Sequence, residues 1–239
     1  YNANSVYRTA DRVGILKGVS AGRGDYLKTA DFVKMLYNTL FEADMMDAVN
    51  WGDTVKYEIK ENKTAAYTYM NIVTAEGVVF ASGKLNMTTK NELEPEEMIL
   101  GNTEYTYKQL PDPDTVIGRY ARGFVKEKDD RKLLALEIIA DENNVLELES
   151  DDIDLGGITE RMIPYYDSRE KKQRAQLSAT VNVVYNGELV PFYNRDDLDV
   201  EDAYYSLIDS NDDRLYDTIV ISRYTPVLVW RASNGKVSY

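Results

Sequence analysis

The apolar pattern of this chain changes period near residue 54, and that change limits the folds open to it. Before it, hydrophobic residues recur every three to four positions. Phe32, Val33, Leu36, Tyr37 and Leu40 fall on one face of a helix expected over Thr29–Glu42, and Val6–Ile15 reads as a shorter helix before it. A glycine-rich turn, Gly18 to Gly24, joins the two. Asp25 or Thr29 is placed to cap the second helix by accepting from its free N–H groups. Glu42–Val49 reads as an extension of that helix, and Asn50-Trp51-Gly52-Asp53 as its stop.

From Thr54 onward the period is two. Thr54–Lys60, Ala65–Ile72, Gly77–Phe80 and Lys84–Met87 alternate, with turns at Asn62-Lys63 and Ser82-Gly83. Met98–Leu100, Tyr105–Tyr107, Val116–Lys126, Leu133–Ala140 and Val145–Leu148 are further strand candidates, with a turn at Leu110–Asp114. Residues 149–163 read as a connector. A last group of strands is expected around Ala179–Tyr185, Ala203–Ile208, Thr218–Ser222 and Val227–Trp230, with a hairpin at Asn186-Gly187. The expected fold class is α+β, mainly β. A helical hairpin over residues 1–52 precedes two small antiparallel β barrels or sandwiches, over 53–155 and 156–239.

Composition narrows the chemistry. The 239 residues include no histidine and no cysteine. Cysteine nucleophiles, Ser-His-Asp triads and the usual zinc, copper and haem ligands are therefore excluded. Forty-one acidic against 28 basic residues give a net charge of −13, which repels phosphates and argues against nucleic acid as a partner. No run of apolar residues is long enough to span a membrane as a helix. Nineteen tyrosines against five phenylalanines fit partly exposed strands and contact surfaces. No Gly-rich phosphate loop and no nucleophile paired with a base stands out, so no catalytic residue is assigned.

Two stretches near the N-terminus, Gly14-Ile15-Leu16-Lys17-Gly18-Val19 and Leu27-Lys28-Thr29-Ala30-Asp31-Phe32-Val33-Lys34-Met35-Leu36-Tyr37, together resemble the end of an S-layer homology repeat. In that family a short helix ends in a Gly-Ile/Leu-x-x-Gly turn, and the next helix opens on a Thr-Arg-Ala-Glu-like tetrapeptide that helps hold a cell-wall polysaccharide. The corresponding positions are Lys28, Thr29, Ala30 and Asp31. The resemblance therefore implies glycan binding through Lys28 and Asp31, although Thr29 stands where the family has arginine and one repeat is visible where the family uses three. The β portion, with Ile72–Val79, Val145–Ile153, Val183–Gly187 and Leu207–Asp209, is similar to the body of clostridial-type surface proteins that carry such repeats. It implies an extracellular, noncatalytic protein of the cell wall or S-layer that associates with its own copies. Two other readings share the composition: a subunit of a virion or extracellular filament, and a carboxylate-based cell-wall glycan hydrolase.

The sharpest local pattern is Asp209-Ser210-Asn211-Asp212-Asp213-Arg214-Leu215-Tyr216-Asp217. Oxygen-bearing side chains recur at positions 1, 3, 5 and 9 of this loop, as Asp209, Asn211, Asp213 and Asp217. Four such oxygens on a tight loop can converge on calcium, which accepts six to eight oxygen ligands. The loop resembles the Asp-x-Asp-x-Asp-Gly-x-x-Asp calcium hairpins of surface domains, with Arg214 in place of the glycine. The other acidic runs, Asp151–Asp154 and Asp196–Asp202, lack this alternation and read as solvated loops. Arg23-Gly24-Asp25 matches the cell-adhesion tripeptide but reads as a turn leading into a helix.

Overall fold

The computed structural model describes residues 2–49, 55–83, 85–88, 93–110, 113–128, 131–224, 228–233 and 236–238. The fold is α+β and mainly β, with several small sheets. The expected stop at Asn50–Asp53, the turn residues Pro111 and Asp112, and Lys84 and Val227 lie outside the described residues. Two compact units divide the chain: residues 1–75 with 123–135, and residues 76–122 with 136–239.

In the first unit, helix α1 (Ala3–Arg12) starts where the Asn2 side chain accepts from the Ser5 N–H at 2.8 Å. It ends at Gly14, whose φ of 86° suits a residue without Cβ. Helix α2 (Thr29–Tyr37) continues into a wider, π-helical turn over Asn38–Glu42. Neither Asp25 nor Thr29 caps it. The N-cap is Lys28, without a side-chain bond, because Asp25 is used earlier, accepting from the Gly22 N–H at 2.9 Å. Nor does the helix extend to Val49. Ala43 turns extended, and Asp44–Ala48 is strand β1, paired antiparallel with β2 (Tyr57–Thr64). An ion pair between Asp47 and Lys60 joins the two. The strand expected over Ala65–Ile72 is instead a π-helical turn over Ala66–Met70. Thr64 Oγ1 accepts from the Tyr67 N–H at its start, and Asn71 ends it at a φ of 53°.

Five strands close into a barrel in the order β3-β4-β5-β7-β6: β3 (Ile72–Ala81), β4 (Glu97–Leu100), β5 (Thr103–Tyr107), β6 (Tyr120–Lys126) and β7 (Lys132–Ile138). The boundary between the units falls within β3, β6 and β7. Alternation is visible along β6, where Ala121, Gly123 and Val125 are buried between less buried neighbours. Gly77 is required by close approach, since a Cβ there would lie 2.7 Å from Gly101 Cα.

The second unit also holds a six-stranded sheet of β8 (Asn144–Glu149), β9 (Met162–Tyr166), β10 (Lys172–Tyr185), β11 (Glu188–Leu189), β12 (Tyr204–Asp209) and β13 (Tyr216–Ser222). The order is β11-β10-β13-β12-β8, with β9 paired to the first half of β10. β8, expected to close the middle segment, thus shares a sheet with the C-terminal strands. The hairpin at Asn186-Gly187 forms with both residues at positive φ, 49° and 84°, as a type I′ turn requires. The sheet is mixed, not antiparallel as expected. The chain leaves β11, lays β12 antiparallel to β8, and returns through the acidic hairpin, so β13 runs parallel to β10. Tyr205, Leu207, Ile219 and Ile221 on the central strands form the core with Ile163, Val183 and Leu198. Short strands β14 (Arg231–Ser233) and β15 (Lys236–Ser238) pair near the end, and Leu228–Trp230, expected as strand, precede that ladder.

Candidate functional site

The positions matched to the glycan-holding tetrapeptide are arranged differently from one another. Asp31 is buried. It accepts from the Ser20 N–H at 2.7 Å and from the Ser20 hydroxyl at 3.0 Å on both oxygens. Two helical turns on, buried Asn38 donates from Nδ2 to the carbonyls of Ile15 at 2.9 Å and Lys17 at 2.8 Å. Together they fasten the Ile15–Ser20 turn to α2. A turn leaves carbonyls and N–H groups without helical partners, and burying them unpaired is costly, so polar side chains hold this interface. Lys28 is exposed at the helix start. The structure therefore separates the two sequence-selected residues by role: Asp31 bonds inward, and Lys28 faces solvent.

This arrangement turns α2 around. The line Asp31–Met35–Asn38 faces inward, while Phe32, Val33 and Leu36 stand 50%, 57% and 47% exposed. Tyr37, from the expected apolar set, packs its ring against Phe41. Their ring centroids lie 5.3 Å apart, and Phe41 meets Phe124 edge-on at 4.9 Å. Beside the exposed ridge, α1 and the following turn enclose a groove of about 480 Å³, walled by Val6, Tyr7, Leu16, Val19, Leu27 and Met35. The ridge residues were selected from sequence as an apolar face, whereas Asn38 was not selected. The signal for Asn38 is its i+7 spacing from Asp31, one polar line along a helix otherwise read by its apolar residues.

The acidic hairpin brings its four selected residues onto one short loop, where their oxygens face backbone N–H groups. Asp209, fully buried, accepts from Asn211 N at 3.2 Å and Arg214 N at 2.9 Å. Asn211 Oδ1 accepts from Asp213 N at 3.0 Å, and Asp213 Oδ1 from Leu215 N at 2.8 Å. Asp217 Oδ2 accepts from the N–H and hydroxyl of Ser210 at 3.1 and 3.2 Å. Within the alternation expected to ligate a cation, Asp209, Asn211 and Asp213 each bond the N–H two residues on, and Asp217 bonds back to Ser210. Arg214, at a φ of 69°, takes the left-handed conformation for which glycine is usual. Burial pushes the Asp217 carboxyl above the usual range, helped by the charges of Asp213 and Asp209 and opposed by the Ser210 bonds. Among the described residues no three Asp or Glu side chains form a group of the kind that holds a metal ion.

Two further polar features lie in the second unit. Tyr205 is fully buried, and its hydroxyl donates toward the carbonyls of Leu198 and Val200 at 3.0 and 2.9 Å while accepting from Val200 N at 3.0 Å. Burial pushes its pKa up to about 12. An open basin of about 600 Å³ is lined by Tyr185, Val190, Asp196, Asp197, Asp199 and Glu201, among others. No protein-family model matches this chain, and no curated protein or solved structure does.

Proposed function

We propose that this chain is a noncatalytic structural protein of the bacterial cell surface, of the S-layer or envelope-associated kind, that works by associating with its own copies. The observation that carries the reading is the open apolar surface on so acidic a chain. Tyr57, Ile59, Tyr69, Tyr166, Tyr204 and Tyr224 are all exposed, in addition to the ridge on α2. Large exposed aromatic and aliphatic surface marks contact sites, and tyrosine supplies it with a polar tip that tolerates water before assembly. The two-stranded β1–β2 ribbon adds strand edges, which accept further strands.

In this reading α1, the glycine turn and α2 are one partial S-layer homology repeat, and the β body is two small barrel or sandwich modules. Lys28 at the start of α2 offers a point charge to an acidic cell-wall polysaccharide, while Asp31 ties the Ser20 end of the preceding turn to the same helix. Calcium at Asp209, Asn211, Asp213 and Asp217 serves as a counter-ion that eases repulsion between copies of charge −13. Asp209, Asn211, Asp213 and Asp217 already accept backbone N–H groups through at least one oxygen each, and these bonds compete with the ion for lone pairs. The test is electron microscopy and sedimentation of the purified chain, with calcium and with chelator. Ordered sheets or filaments are expected. A monomer at all concentrations with no lattice, or turnover of cell-wall glycans lost on changing a single carboxylate, overturns the reading.

A further inference from the structure

The helical segment carries an apolar ridge and an apolar groove side by side. Phe32, Val33 and Leu36 form the ridge on α2, and Val6, Tyr7, Leu16, Val19, Leu27 and Met35 wall the groove. Met35 lies about 60° around the helix from Phe32, so the ridge borders the groove. Val6 is 56% exposed, and Tyr7 and Leu27 are also open to solvent.

Three observations identify what covers this face. The first is shape: a groove of about 480 Å³ accommodates large side chains, and the adjoining ridge presents an aromatic and two aliphatic ones. A surface that holds both a ridge and its receptor is self-complementary, as a two-fold contact between identical chains requires. The second is charge. The first unit carries thirteen Lys or Arg against twelve Asp or Glu, net +1, and the second fifteen against twenty-nine, net −14. Residues 1–43 alone carry six basic and four acidic side chains. This is the part of the molecule whose own surface carries the least like charge for a second copy to meet. The third is area. Val6, Tyr7, Leu27, Phe32, Val33 and Leu36 leave on the order of 600 Å² open, against about 800 Å² that a standard interface takes from each partner.

We propose that α1 and α2 form a two-fold contact with a second copy of this chain, in which the Phe32–Val33–Leu36 ridge of each copy fills the groove of the other. The inference rests on the self-association reading above and names the surface it uses, a helical face in addition to strand edges. Because the contact is closed, it makes pairs, and any sheet or filament is then built from pairs through other surfaces.

The chain has no cysteine, so single cysteines report the contact without interference. Full-length Val6→Cys and Phe32→Cys proteins, mixed under mild oxidation, are expected to give a disulfide-linked heterodimer at least tenfold above a mixture in denaturant. Sedimentation of the wild type is expected to show a reversible dimer, and the doubly substituted Phe32→Asp/Leu36→Asp to raise its dissociation constant at least tenfold. Both positions are exposed, so the melting temperature is expected to stay within a few degrees; Val6→Asp on the groove wall provides a second, independent variant. A wild-type monomer from micromolar to millimolar concentration, no cross-link above the denatured control, or undiminished association of both variants overturns the proposal. Electron microscopy of the same samples separates the two readings. Sheets formed equally by Phe32→Asp/Leu36→Asp sink this contact and leave assembly standing, whereas dimers that never form sheets or filaments support the contact and sink the lattice.

Discussion

The six-stranded sheet buries Tyr205, Leu207, Ile219 and Ile221 completely, whereas the helical segment of the first unit buries Asp31 and Asn38 and leaves Phe32, Val33 and Leu36 open. Both regions are amphipathic in sequence. In the sheet, apolar side chains on β12 and β13 share one core, and the Tyr205 hydroxyl buried among them is hydrogen-bonded. In the helical segment the buried polar side chains bond one turn: Asp31 accepts from Ser20, and Asn38 donates to the Ile15 and Lys17 carbonyls. Apolar burial is additive and stabilises in proportion to area, while hydrogen bonds contribute modestly and mostly fix geometry. The sheet is therefore a frame. The helical segment is a positioned surface whose apolar residues remain available for contact.

Changes to the frame are expected to have the largest effect. Tyr205→Ala removes an aromatic ring from a filled core and orphans its backbone partners, and a loss of about 3–5 kcal/mol in denaturant unfolding is expected. A loss below about 1 kcal/mol would mean that the sheet is not the stable part. Asn38→Ala leaves the Ile15 and Lys17 carbonyls without their donor, at an expected cost of about 1–3 kcal/mol confined to residues 2–49. Helical circular dichroism should melt before the sheet in this variant, and a single unchanged transition would contradict the contrast.

Smaller effects come from protonation. Tyr205→Phe keeps the ring and strands the Val200 N–H, for an expected loss of about 1–2 kcal/mol at pH 7. A tyrosine whose folded pKa is raised keeps its stability contribution below its unfolded value near 10 and loses it as pH rises toward about 12. The wild type should therefore lose stability across that window more steeply than Tyr205→Phe, and parallel curves would contradict it. Asp217 is also raised, mainly by burial, so burial opposes folding wherever its carboxylate is charged. Its stabilising effect is present below the unfolded value of 3.8 and fades as pH rises through the raised folded value. Asp217→Asn is expected to leave the melting temperature unchanged or slightly higher at pH 7, and the difference should shrink on acidification. Calcium is expected to move the melting temperature by under about 2 °C, and a shift above about 5 °C would make the hairpin a metal site in its own right.

Much of the β architecture was legible because period-two alternation and turn chemistry agree over β6, β12, β13 and the Asn186-Gly187 hairpin. The parallel β10–β13 pairing was not, since adjacency depends on the crossover between strands and no local pattern records it. β1 and the π-helical turn at Ala66–Met70 were misread for a related reason: Met-rich and Tyr-rich segments suit helix and strand alike. At the acidic hairpin the spacing of Asp209, Asn211 and Asp213 was legible, and the hydrogen bonds these side chains make within the loop were not. Alternate oxygens serve a cation or the N–H groups two residues on, and only the loop conformation distinguishes them. On α2 the apolar face was identified from its spacing, but the inward side is set by Ser20 and the carbonyls of the turn, outside the helix itself.

The most direct test of the contrast between frame and contact surface is amide hydrogen exchange of the full-length chain, measured at low and at high protein concentration. The account predicts that β12 and β13 exchange slowly and equally at both, while amides of α1, the Leu16–Leu27 turn and α2 exchange fast when dilute and become protected when concentrated. Protection that appears on concentration in β12 and β13, or α1 and α2 amides as slow as the sheet in dilute solution, would contradict it.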